Sequence, residues 1–183
     1  MVTAASKALL ILPYMTLLRN SQEDSSTSFW LAKTVSIGEP DKMAADALKI
    51  KEQGYPAIKV KLGKDGKKDV ERIKAIRAAV GYEIPLRIDA NQGWRVNEAI
   101  ETLNALAEFN IQHCEEPIAR WKFMRLRKVK KNSPIPIMAD ECCSDEHDAE
   151  RLIELGACDY FNIKLGKSGG IYKALKMVKM AEK

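Results

Sequence analysis

Ala57-Ile58-Lys59-Val60-Lys61-Leu62 alternates charged and aliphatic side chains with a period of two. In a β-strand this puts Lys59 and Lys61 on one face and Ile58, Val60 and Leu62 on the other. A lysine face on one isolated strand reads as a solvated sheet edge. The surroundings argue otherwise. Similar β-rich runs occupy residues 29–37, 85–90, 112–116, 136–141 and 160–165, and helical periodicity fills the gaps. In 41–53, for example, Met43, Ala47 and Ile50 share one helical face, and 70–80, 98–109, 148–155 and 171–181 behave alike. Asp41 after Pro40 reads as an N-cap, and Gly54, Gly81 and Gly156 fall where helices end.

Strict β-α alternation implies a parallel sheet, doubly wound or closed as a barrel. Charged residues recur at the C-terminal ends of successive runs, which favours a barrel over a single switch point. The first run is followed by no glycine-rich dinucleotide fingerprint, and Gly166-Lys167-Ser168 lacks the earlier glycine of a phosphate loop. Six βα units are present where a closed barrel has eight. The expected fold is therefore α/β, a partial (β/α)8 TIM barrel of about six units over residues 29–183. Residues 1–28 read as a helical stub followed by a Ser-rich connector at 21–28. An unclosed sheet leaves unpaired backbone on its first and last strands, which invites assembly into a homo-oligomer.

The 183 residues suffice for one sizeable core. The net charge of +5 is dispersed, and the basic cluster at 125–131 lies in a helical pattern whose apolar side is Phe123, Leu126 and Val129. That is a solvated helix face rather than a nucleic-acid stripe. The four cysteines show no CxxC spacing, which points to a reducing, cytoplasmic compartment. The apolar run at 8–18 is too short to span a bilayer and is followed by no signal cleavage site, so no membrane partner is expected.

Asp89, Glu115 and Asp140 each close a β-rich run. Any one of them alone is explained by a helix cap or an ion pair. Together, three carboxylates on consecutive strand ends converge at repelling distances and call for a counter-cation. Hard oxygen ligands suit Mg²⁺. In the sixth run, Asn162 and Lys164 share the inward face, so Lys164 enters the mouth opposite Lys59 and Lys61. A thiol-zinc alternative would use His113, Cys114, Cys142 and Cys143, but Cys114 and Glu115 cannot both face inward in a regular strand. Trp30, Trp94 and Trp121 read as packing residues, with Trp94 in a mouth loop, and His147 as a surface residue.

Five ordered motifs carry a family resemblance: Lys59-Val60-Lys61, Asp89-Ala90-Asn91-Gln92-Gly93-Trp94, Glu115-Glu116-Pro117, Ala139-Asp140-Glu141 and the stretch from Asn162 to Gly170. From about Thr34 to Lys183 the chain resembles the muconate-lactonizing subgroup of the enolase superfamily, and within it the dipeptide epimerases of the alanyl-glutamate type. The resemblance implies Asp89, Glu115 and Asp140 as Mg²⁺ ligands and Lys61 and Lys164 as acid/base lysines, with Lys59 assisting Lys61. A like charge and a nearby metal favour the neutral lysine, the form that acts as a general base. The implied reaction is epimerisation of a dipeptide, or a related amino-acid-derived carboxylate, by 1,1-proton transfer through an ene-diolate.

Several departures stand out. Nearly all of the family's N-terminal capping domain lacks a counterpart, as do the last two strands, where an Asp-x-Asp pair receives the substrate ammonium. Glu116 stands where many relatives have glutamine, and the first strand region holds extra residues. Alternatives within the same framework are cycloisomerisation, dehydration and N-acyl amino acid racemisation, since function lies in the site rather than the fold. The remaining alternative is an inactive, truncated metal-binding fragment.

Overall fold

A computed structural model of the chain describes residues 32–182 throughout and, as backbone, the strands β1 (Lys7–Leu12), β2 (Met15–Leu18) and β3 (Ser28–Trp30). The barrel units follow in strict alternation: β4 (Ala32–Val35), α1 (Pro40–Glu52), β5 (Ala57–Lys61), α2 (Gly66–Val80), β6 (Leu86–Asp89) and α3 (Val96–Ala105). Next come β7 (Ile111–Glu115), α4 (Phe123–Lys131), β8 (Ile137–Ala139), α5 (Glu146–Glu154), β9 (Tyr160–Lys164) and α6 (Ile171–Ala181). Strands β4 to β9 pair in parallel with their sequence neighbours and curl into a partial (β/α) barrel, as the alternation predicted.

The core lies between this sheet and its helices. Ile58, Val60 and Leu62 point outward into it and are buried, leaving Lys59 and Lys61 on the concave face. Met43, Ala47 and Ile50 are the buried side of α1. Helix α1 opens one residue earlier than expected, with Pro40 at its first position and Asp41 inside its first turn, because the fixed φ of proline already matches a helix there. Leu126 and Val129 bury one face of α4 and leave Arg125, Arg127, Lys128 and Lys131 to solvent, while Lys130 reaches the Cys158 carbonyl and Asp159.

One irregularity sets the register of the mouth. Leu86 pairs with Ile111, but Ile88 pairs with Cys114. Two residues of β7, Gln112 and His113, therefore oppose the single residue Arg87 of β6, a bulge. It brings Glu115 level with Asp89.

The N-terminal region departs from expectation. Where residues 1–28 are described, they form strands rather than a helical stub: β1 pairs in parallel with β9 and antiparallel with β2. An all-apolar run such as 8–12 carries no periodicity to separate helix from strand, and here sheet pairing decides. Residues 21–27 of the Ser-rich connector lie outside the described residues. The expected first strand at 29–37 is split, since Ser28–Trp30 pairs with β2 while Ala32–Val35 pairs with β5. Consequently the β9 edge is covered. Among the described residues β4 has no strand on its outer side.

Candidate active site

The three strand-end carboxylates and the three lysines read from the sequence come together at the C-terminal end of the sheet. Lys61 pairs with Asp89 and Asp89 with Glu115 in adjacent strands. Lys59 Nζ lies 2.7 Å from Asp89 Oδ2 and 2.5 Å from Glu115 Oε2, and Lys61 Nζ lies 2.7 Å from the same Asp89 oxygen. On the other flank Lys164 forms an ion pair with Asp140 Oδ2. Asn162 bridges the two flanks, donating from Nδ2 to Glu115 Oε1 at 2.6 Å. Asp89, Glu115 and Asp140 are all buried, whereas the Lys61 and Lys164 side chains reach solvent at 33% and 42% exposure. The lysine tips thus face the open mouth, with the carboxylates beneath them.

Crowding shows in the electrostatics. Burial pushes the Glu115 carboxyl up to about 7; Lys59 opposes the rise, while contact with Asp140 and the charge of Asp89 add to it. Asp140 moves the opposite way: burial works to raise it, but a hydrogen bond shared with Glu115 and contacts with Lys164 and Lys167 hold it well below the usual carboxylate range. Burial likewise works against charge on Asp89, and Lys59 and Lys61 outweigh it, so its carboxyl is lowered. For Lys59, burial is overcome by Glu115 and Asp89, and its ammonium is held above the ordinary lysine value.

Lys167 belongs to this cluster and was not among the candidates from the sequence. Its ammonium contacts Asp140 Oδ1 and lies 2.6 Å from the Asp140 backbone oxygen. Strand alternation cannot find it, because it lies beyond the end of β9. A tight turn brings it back, with the Lys167 and Ser168 N–H groups both donating to the Lys164 carbonyl. Glu116, at φ 39°, is buried. Its Oε2 accepts from the Asp140 and Cys142 N–H groups at 2.7 and 3.3 Å, which pins the turn after β8. Burial raises its carboxyl to about 7 despite those donors.

Could these residues hold a divalent cation? The donor set is hard oxygen, and Asn162 Oδ1, next to Glu115, is a buried acceptor without a hydrogen-bond partner. That chemistry fits Mg²⁺. In the arrangement described, the lysines occupy the carboxylate oxygens, and no three Asp, Glu, His or Cys side chains among the described residues frame a metal position. The thiol-zinc constellation does not form either. His113 packs edge-on to Tyr160 at 5.9 Å, burial lowers it to about 3, and Cys114 is enclosed in the core. Trp94 is buried, as expected of a packing residue. Trp121 is 73% exposed, contrary to expectation, because the short 3-10 turn at Arg120–Lys122 buries none of its residues. The side chain of Trp30 lies outside the described residues. His147 is on the surface.

A cleft of about 390 Å³ opens beside Lys61, lined by Ser36, Ile37, Leu62, Gly63, Lys64, Ala90 and Asn91 as well. It lies within the range of small-molecule sites. No helix among the described residues is long and apolar enough to cross a membrane.

Residues 42–183 match the Enolase C-terminal domain-like family. A D-Ala-D/L-Ala epimerase of Cytophaga hutchinsonii is 58% identical over 149 residues, which cover 81% of this chain and 40% of that protein. An L-Ala-D/L-Glu epimerase of Clostridium acetobutylicum is 44% identical over 151 residues, 81% of this chain and 42% of its own. Among solved structures, the dipeptide epimerase of Cytophaga hutchinsonii complexed with Mg and the dipeptide D-Ala-L-Val superimposes with a TM-score of 0.82 at 57% identity. That match covers 82% of this chain and 41% of that one. The chain thus spans about two-fifths of the length of these relatives.

Proposed function

Because the chain belongs to the Enolase C-terminal domain-like family, we propose that this protein inverts the α-carbon of a dipeptide by 1,1-proton transfer between two opposed lysines. The observation that carries the reading is the placement of Lys61 and Lys164 on opposite flanks of one carboxylate cluster, Lys61 on Asp89 and Lys164 on Asp140. Neutral Lys61 removes the α-proton from one face of the substrate, and the Lys164 ammonium delivers a proton to the other. The roles exchange for the opposite epimer. Lys59, held by Asp89 and Glu115, keeps a fixed positive charge beside Lys61.

Asp89, Glu115 and Asp140 are the residues that would hold Mg²⁺. When bound, the ion supplies positive charge against which a substrate carboxylate is fixed and its growing negative charge is stabilised. The kinship with Mg-complexed and dipeptide-specific relatives supports this choice of cofactor and substrate class. The four buried, unpaired thiols support a reducing, cytoplasmic setting, and the outer edge of β4 supports self-association.

The test is a chiral separation of Ala-Ala, Ala-Glu and hydrophobic dipeptides after incubation with the whole protein and Mg²⁺. Appearance of the second epimer supports the reading. Turnover confined to N-acyl amino acids or lactonisable acids would replace it with one of the sister reactions.

A further inference from the structure

Asp69 lies in the first turn of α2, outside the mouth, and is fully buried. Such a position usually serves the helix N-terminus through solvent-facing carboxylates. Here the side chain does something else. Its Oδ2 accepts from the Gly63 N–H and from the Trp94 indole N–H, both at 2.9 Å. Its Oδ1 accepts from Arg72 at 2.7 Å, and Arg72 Nε donates to the Gly38 carbonyl at 2.8 Å. One carboxylate is therefore tied to the loops following β4, β5 and β6.

The same three loops wall the cleft beside Lys61. Gly63 is two residues past Lys61, and its loop is stacked on the next with no room to spare. A Cβ on Gly63 would meet the Ala90 oxygen at 1.8 Å, and one on Gly93 would meet the Gly63 oxygen at 1.7 Å. Trp94 is fixed in turn to the loop after β7, donating from its backbone N–H to the Pro117 oxygen at 3.2 Å. Nothing in this set of contacts involves the turn at 165–170 that carries the Lys164 flank. The support is one-sided.

We infer that Asp69, with Trp94 and Arg72, is a positioning device for the Lys61 side of the site alone, setting where that ammonium stands relative to the carboxylate cluster while leaving Lys164 independent. The inference rests on the two-lysine reading above. It assigns Asp69 no contact with substrate. Loosening the clasp shifts the loop that ends β5, and small misplacements of a proton-transfer group are strongly felt in rate.

The experiment uses single-lysine backgrounds of the whole protein with Mg²⁺ in D₂O. In Lys164→Ala, exchange of the substrate α-proton without inversion reports on Lys61, and in Lys61→Ala it reports on Lys164. Trp94→Phe removes one donor to Asp69 and keeps most of the packing. It is expected to slow exchange about tenfold or more in the Lys164→Ala background and less than about twofold in the other. Equal losses in both backgrounds overturn the inference. Amide hydrogen exchange gives an arm independent of turnover. Trp94→Phe and Asp69→Asn should loosen residues 62–64 and 90–94 and leave 162–167 unchanged; uniform loosening, or none, also overturns it. If neither background exchanges an α-proton while Trp94 is intact, the epimerase reading fails, and the amide arm alone decides the clasp.

Discussion

Asp89 and Glu115 stand level on adjacent strands because β7 carries one residue more than β6 ahead of them. Without that bulge Asp89 would lie level with Cys114, whose side chain is enclosed in the core. The two carboxylates meet through Lys59, which reaches both at 2.7 and 2.5 Å. Everything proposed for the mouth depends on this alignment.

Glu115 sits between the other two carboxylates, so its removal is expected to weaken Mg²⁺ binding most directly. Glu115→Gln keeps the size and the acceptor for Asn162 but loses the charge. Calorimetric titration with Mg²⁺ should show affinity falling by about tenfold or more. Unchanged affinity would place the ion elsewhere.

Lys167 holds Asp140 through its backbone oxygen as well as its carboxylate. Lys167→Met should lower kcat/KM by about 10–100-fold, the range seen when a supporting partner of a metal ligand is lost. Lys167→Arg should recover part of the loss, and far-ultraviolet circular dichroism should stay constant. Full activity in the methionine variant would make Lys167 incidental.

Helix α5 is capped by Asp145, whose carboxylate accepts from the His147 and Asp148 N–H groups at 3.0 and 2.9 Å. Asp145→Ala is expected to cost about 1 kcal/mol, a fall of about 2–4 °C in Tm for a chain of this size. Asp145→Asn should restore most of it in a thermal melt.

The inward faces of β5 and β9 were legible in the sequence because a period of two is local: Lys59, Lys61, Asn162 and Lys164 follow from their neighbours alone. The alternation of units gave the partial barrel for the same reason. What escaped is non-local. The bulge in β7 is set by pairing with β6, and Lys167 is delivered by a turn beyond the strand. Asp69 falls just outside the helical pattern read at 70–80, and only the folded chain brings Gly63 and Trp94 to it. The division of 29–37 between two ends of one sheet, and the strand character of 7–12, are likewise decided by partners distant in sequence.

Cys158 is buried, and burial, partly offset by Lys130, pushes its thiol up to about 12 from an ordinary 9.0. The unfolded thiol releases its proton near 9 while the folded one keeps it, so the folded state binds more protons in that window. Stability is full below pH 9 and falls as pH rises toward 12, by at most about 1.4 kcal/mol per pH unit for this group. Urea melts at pH 8, 9 and 10 should show a shallower alkaline decline for Cys158→Ala than for the parent. Identical slopes would show that this thiol titrates in the folded chain as it does in the unfolded one.

The most direct measurement follows the α-hydrogen itself. Dipeptide epimerised by the whole protein with Mg²⁺ in D₂O should acquire one α-deuteron as it inverts. Lys61→Ala and Lys164→Ala should each abolish inversion yet retain exchange, one with each epimer. Inversion without deuterium, or retained inversion in either alanine variant, would contradict proton transfer between two opposed lysines.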